Sequence, residues 1–230
     1  MKAIKTILLL LAIVGTTYSQ TDCRPYVPTN KGATWEITNY NAKGKVQGTV
    51  NYELLDKVVS GNDVTFKIKS VAKDKKGKDI YTNEFSATCK DGEFDFGMAF
   101  KMDGNQLQAY EDMDVQIDAS KFEIPDMDAP AGTTLDDGTL AINVDTGMIA
   151  VKMNIEITDR KVEKREELTT PAGTFDCIVL TQTIYTKMMI KVTASSKEWY
   201  SENVGMVRSE SYNKNGKLMG YSELTKFSNQ

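Results

Sequence analysis

The chain has no histidine, so its chemistry would have to come from carboxylates. Ser-His-Asp and Cys-His catalysis, imidazole zinc sites and the usual general base near neutral pH are thereby removed. No G-x-S-x-G elbow, Walker loop or dinucleotide fingerprint occurs. Asp126, Asp128, Asp136 and Asp137 gather around one central stretch, and Glu111, Asp112, Asp114 and Asp118 precede it. Such acids can hold calcium or act as a glycosidase-like pair. They lack a D-x-D-x-D-G run ending in a distal Glu, so a solvated acidic loop is the simpler reading. No catalytic residue, metal ligand or cofactor is assigned, and a carboxylate-dependent hydrolase is the least favoured class.

The remaining candidates are soft or aromatic. The methionines are spread along the chain without close M-x-M or M-x-x-M pairs, which speaks against a copper(I) site. Flexible thioethers fill cores, and they can also line a cavity for apolar ligands of variable shape. Met153, Ile155 and Met188 are the candidate lining of such a cavity. Trp199-Tyr200 beside Gly205 reads as a corner of a sheet in which the glycine lets Trp199 approach backbone, with a ligand platform as the alternative.

The elements that must position these residues are strands. Trp35 and Ile37 alternate with polar neighbours, as do Val46, Gly48, Val50, Tyr52 and Leu54, and later Val64, Phe66 and Ile68. The longest row is Ile149, Val151, Met153, Ile155 and Ile157, one buried face of a half-exposed strand. Lys43-Gly44-Lys45, Lys76-Gly77-Lys78 and Asn215-Gly216-Lys217 are hairpin turns, and the segment starting at Tyr40-Asn41 is echoed by the one starting at Tyr212-Asn213. Residues 98–113 break the alternation and read as a short helix over the sheet. A Pro- and Gly-bounded connection from Ile124 to Gly132 follows it. The expected architecture is all-β with minor α: one antiparallel curved sheet or half-barrel. Its N-terminal meander covers about 33–97 and its C-terminal meander about 139–228, within a single domain of residues 20–230.

Residues 1–19 read as a signal peptide: Lys2 and Lys5 precede an uncharged run over 7–15, and Thr17 and Ser19 are small enough for signal peptidase. No other stretch is long and uncharged enough to span a membrane. Cleavage leaves 26 basic against 32 acidic residues, a net charge of −6, with the lysines scattered among acids along the chain. Nucleic acid is therefore a poor partner. Export favours one disulfide among Cys23, Cys89 and Cys177, and all three pairings are open. Cys177 sits in an apolar strand-like run, whereas Cys23 lies in a Pro-flanked stretch and Cys89 abuts a turn, which favours Cys23 with Cys89. A lipid anchor on Cys23 competes, but Gln20-Thr21-Asp22 lacks the small and apolar residues of a lipobox.

Thr169-Thr170-Pro171-Ala172-Gly173-Thr174-Phe175-Asp176-Cys177, followed by Trp199-Tyr200 and Val204-Gly205-Met206-Val207-Arg208-Ser209-Glu210, resembles a pattern of the TapB-like, or DUF-type, family of exported Bacteroidota proteins. Gly32-Ala33-Thr34-Trp35 and Cys89-Lys90-Asp91-Gly92 resemble that family's N-terminal half. The resemblance implies envelope or secreted β proteins and is silent on chemistry. Related motifs in periplasmic half-barrels imply a cavity. The reading is a periplasmic or secreted, non-enzymatic β protein that takes an apolar or amphiphilic ligand. The alternative is an interaction protein of the envelope with no small ligand.

Overall fold

Among the described residues the alternating sequence becomes twelve antiparallel strands. The computed structural model describes residues 24–90, 92–96, 114–120, 122–145, 150–187 and 191–229. Strands β1 (Thr34–Asn41), β2 (Val46–Ser60), β3 (Asp63–Asp74), β4 (Asp79–Lys90) and β5 (Glu93–Asp95) form one meander. The second comprises β6 (Asp114–Ala119), β7 (Gly138–Asp145), β8 (Ala150–Thr170), β9 (Gly173–Lys187), β10 (Lys191–Ser201), β11 (Gly205–Asn213) and β12 (Leu218–Ser228). One sheet contains all twelve in the order β5-β4-β3-β2-β1-β12-β11-β10-β9-β8-β7-β6. The meanders are joined in the middle of the sheet by β1 and β12, where Trp35 lies opposite Phe227.

The described residues include no helix, and the helical segment expected over 98–113 lies outside them. The second meander starts earlier than residue 139. Asp114-Val115-Gln116-Ile117-Asp118-Ala119 alternates like any strand and forms β6.

The sheet curls until its two halves share a core. Trp35, Leu54, Phe66 and Ile68 from the first meander pack in one cluster with Val162, Ile178, Leu180 and Tyr200 from the second. Two irregular segments plug the curl. Tyr26, before β1, lies between the rings of Phe94 and Tyr200 at 6.1 and 6.0 Å, and its hydroxyl donates to the Pro125 carbonyl at 2.5 Å. The connection over 122–137 bridges two strands: Glu123 pairs with Asp95 of β5, and Thr134 pairs with Lys161 of β8. A bulge in β8, where Asp159 adopts φ 54°, turns backbone toward that connection. Leu135 N–H then donates to Arg160 O, and Val162 N–H to Thr133 O, both at 2.9 Å.

Three hairpins at one end of the sheet use the same turn. Asn41, Asp74 and Asn213 each accept two backbone N–H bonds on one side-chain oxygen, from the residues two and four positions later. The sequence requirement is Asn or Asp, two residues, Gly and Lys, and the Asp74 copy shows that the Tyr40 and Tyr212 echo belongs to a turn type used three times. Just past two of these turns backbone crosses backbone. A Cβ on Gly220 would meet the Tyr40 carbonyl oxygen at 2.7 Å, and one on Gly48 the Lys73 carbonyl oxygen at 2.5 Å.

Candidate functional site: the inner face of the curled sheet

Strand parity assigns each residue to the inner or outer face. At the base the inner face is apolar and filled, with Leu54, Phe66, Ile68, Ile178 and Leu224 all buried. One layer up the chemistry changes. Glu198 faces Ser209 across β10 and β11, Ser209 faces Ser222, and Ser222 faces Asn39. The next row, Gln182, Ser196, Ser211 and Gly220, is polar or small as well. Toward the hairpin end the β9 and β10 side of this face becomes apolar again: Ile184 and Ala194 are half-buried, and Val192 is 55% exposed.

Buried hydrogen bonds hold the polar layer. The Glu198 carboxylate accepts from Gln182 Nε2 at 3.0 Å, Ser196 Oγ at 3.5 Å and the Tyr200 hydroxyl at 2.8 Å. Burial, reinforced by Glu198, pushes the Tyr200 hydroxyl well above its ordinary value. Arg160 is only 2% exposed. Its guanidinium lies 3.8 Å from the centre of the Phe122 ring, and donates to Asp136 O at 2.6 Å and Glu123 O at 2.5 Å. Its Nε has no acceptor. Burial pulls this guanidinium below its ordinary value, while Tyr200, Glu198, Glu123 and Asp137 pull the other way. The arrangement orders the plug and presents a polar floor.

The residues singled out from sequence disperse. Met153 is buried, Ile155 of the same face is half-buried, and Met188 lies outside the described residues. Asp126, Asp128, Asp136 and Asp137 are exposed, with Asp128 3.6 Å from Arg24; Glu111 and Asp112 lie outside the described residues. Among the described residues no three acids or cysteines come together as a metal site would need. Trp199 and Tyr200 point to opposite faces. Tyr200 joins the inner core, whereas Trp199 packs on the outer face with Cys177, Val179 and Val207 and donates to Glu166 at 2.8 Å. The carboxyl of Glu166 is held below its usual range by Lys164 and then Trp199. Gly205 serves a different close approach from the expected one. A Cβ there would meet the Tyr26 carbonyl oxygen at 2.9 Å, so the glycine admits the plug.

A concavity of about 430 Å³ lies where β12, β1, β2 and β3 meet. Trp35, Tyr52, Val71 and Phe227 line it together with Glu36, Glu53, Lys69 and Lys226. Glu36 is already engaged there, by Thr225 at 2.9 Å and Lys226 at 3.0 Å. Neither Met153 nor Ile155 belongs to this cleft.

Sequence reading missed Arg160 and Glu198. Glu198 carried a signal, since Ser196, Glu198 and Tyr200 share one face of an alternating strand. Arg160 carried none, because only the bulge at Asp159 brings it inward.

An all-β half-barrel, internally plugged and polar across the middle of its inner face, is the class that these features define. No helix of the described residues is long and apolar enough to cross a membrane. The chain belongs to the DUF3108-like family, whose model matches residues 30–224. Two solved structures share the fold. One is a protein from Bacteroides fragilis inferred to be exported, with a YmcC-like fold, 24% identity and a TM-score of 0.79, covering 90% of this chain and 100% of that one. The other, from Parabacteroides distasonis and inferred to be a lipoprotein, has 26% identity and a TM-score of 0.76 and covers 90% of this chain and 99% of that one. A periplasmic or secreted location agrees with both. No curated protein matches the sequence.

Proposed function

We propose that this protein is a non-enzymatic envelope protein that takes a single-chain apolar or amphiphilic ligand against the inner face of its half-barrel. The observation that carries the reading is the gradient on that face. A ligand entering past Val192, Ala194, Ile184 and Ile155 would lay its chain on apolar side chains and its polar end toward the Gln182, Ser196 and Glu198 layer. Ser209, Ser211, Gly220 and Ser222 put only small side chains on that layer, and all four are half-buried. The same reading takes residues 1–19 as a removed signal peptide and residues 20–230 as one domain. A Cys23–Cys89 disulfide belongs to it too. Cys177 is a free, buried thiol, which leaves Cys89 as the partner for Cys23, and a bridge there would tether the segment that carries Tyr26.

The test is Ile155→Trp, followed by urea titration and by binding of a fluorescent fatty-acyl probe. A ligand-lined wall predicts loss of probe binding with little change in stability. A close-packed wall predicts destabilisation by about 1–3 kcal/mol and no probe binding in the parent protein. That second result would replace this reading with an envelope-interaction role.

A further inference from the structure

The fold gathers lysines that are dispersed in the sequence. Hairpins β1–β2, β3–β4 and β11–β12 lie side by side at one end of the sheet, where Ala42 N–H donates to Met219 O at 3.1 Å. Lys43, Lys45, Lys76, Lys78, Lys214 and Lys217 all sit exposed on these tips. The ends of β9 and β10 add Lys187 and Lys191 to the same rim. At these hairpins Asp74 accepts the Lys76 and Lys78 backbone N–H groups, and Asp79 lies 3.2 Å from Lys73. The chain as a whole carries a net charge of −4, so this rim opposes the sign of the molecule.

Apolar side chains stand among these lysines. Of the exposed large hydrophobics among the described residues, Val46 at 43%, Met219 at 46% and Val192 at 55% lie at this end, one beside each of three strand termini. The remaining two, Val58 and Val59, are at the opposite end. Cationic tips with apolar residues between them suit a lipid interface better than a soluble polyanion. Phosphate groups attract the lysines, and the interfacial region takes the Val and Met side chains. The Asn41, Asp74 and Asn213 turns fix the tips in place, so little conformational entropy is lost on docking.

We infer that the hairpin rim seats this protein on an anionic phospholipid surface, with the lysine tips on the headgroups and Val46, Val192 and Met219 dipped between them. The rim is also the end at which the inner face is apolar and exposed, so docking would set that face toward the bilayer. Docking stands whether or not the inner face holds a ligand.

The experiment uses protein released from its own envelope and co-sedimented with vesicles of phosphatidylcholine alone or mixed with phosphatidylglycerol. The expected result is pelleting with the mixed vesicles only, reversed by salt. Each surface lysine contributes roughly fivefold to partition, so the double variant Lys43→Gln with Lys214→Gln should weaken it about thirtyfold. The pair Val192→Ser with Met219→Ser should weaken it as well. The lysine variants should leave acyl-probe binding unchanged, which separates this inference from the proposed function. Equal pelleting with neutral vesicles, or none with either, overturns it. So does charge-dependent binding that polyphosphate reproduces and that ignores the Val192 and Met219 changes, which would mark a soluble polyanion site.

Discussion

Replacing Tyr26 tests whether the plug, more than the sheet, holds the curl shut. The ring is 1% exposed and lies against Phe94 from one half and Tyr200 from the other. Tyr26→Ala removes that bridge and leaves a cavity, for which large aromatic truncations cost about 3–5 kcal/mol. Tyr26→Phe keeps the ring and removes only the donor to Pro125 O, leaving a buried carbonyl unpaired at a cost of about 1–3 kcal/mol. The difference between the two variants, roughly 2 kcal/mol, is the share due to the ring. Urea titration reads both as a lower midpoint, with the slope unchanged while the transition remains two-state. A double-mutant cycle with Phe94→Leu should give a coupling of about 0.5–1.5 kcal/mol, because the two rings touch. A neutral Tyr26→Phe together with additive Tyr26 and Phe94 effects would show that the halves close without the plug.

Arg160→Met strips the donors from the Asp136 and Glu123 carbonyls and should destabilise by about 3 kcal/mol, with Arg160→Lys failing to rescue because one ammonium cannot serve both; a full rescue in urea titration would refute the clamp. Gly220→Ala, which sets a Cβ 2.7 Å from the Tyr40 carbonyl oxygen, should lower stability by about 1–3 kcal/mol, and an unchanged melting temperature would show that the crossing can open. Burial pushes the Cys177 thiol up from 9.0 to about 12. Above pH ~9 the unfolded chain therefore holds fewer protons than the folded one, and stability falls by about 1.4 kcal/mol per pH unit until the folded thiol ionises. Cys177→Ala should flatten that slope between pH ~9 and 10, before the buried tyrosines join in, and identical slopes would refute the assignment.

What could be read from sequence was whatever depends on local period. Trp35 with Ile37, or Met153 with Ile155 and Ile157, announce a face by alternation alone, and an Asn or Asp three residues before a Gly-Lys pair announces a turn. Curvature was legible only through a resemblance, since no local pattern says that Leu54 and Ile178 will share a core. The inner-face chemistry was harder still. Glu198, Ser209, Ser222 and Asn39 form one row through pairings between distant strands, and each alone looks like an ordinary polar residue. The bulge at Asp159 hid Arg160 by shifting parity within a strand, so a strict two-residue count places it on the wrong face. The lysine rim was invisible for the same reason: residues far apart in the chain are neighbours only once β1 lies beside β12.

That central pairing has a consequence for how the molecule is made. Lys226 reaches Glu36 across 190 residues, so the seam is laid between β1 and β12, the first and last of the described strands. Until β12 arrives, β1 is an open edge with its backbone groups bare, a template for any other extended chain in the same compartment. Hairpins on either side can form early, because each closes over a few residues, while the seam must wait for the C-terminus. The interval between first and last strand is thus the period in which a chaperone would be needed. A chain cut short before Leu218 would keep both meanders and never lose its adhesive edges.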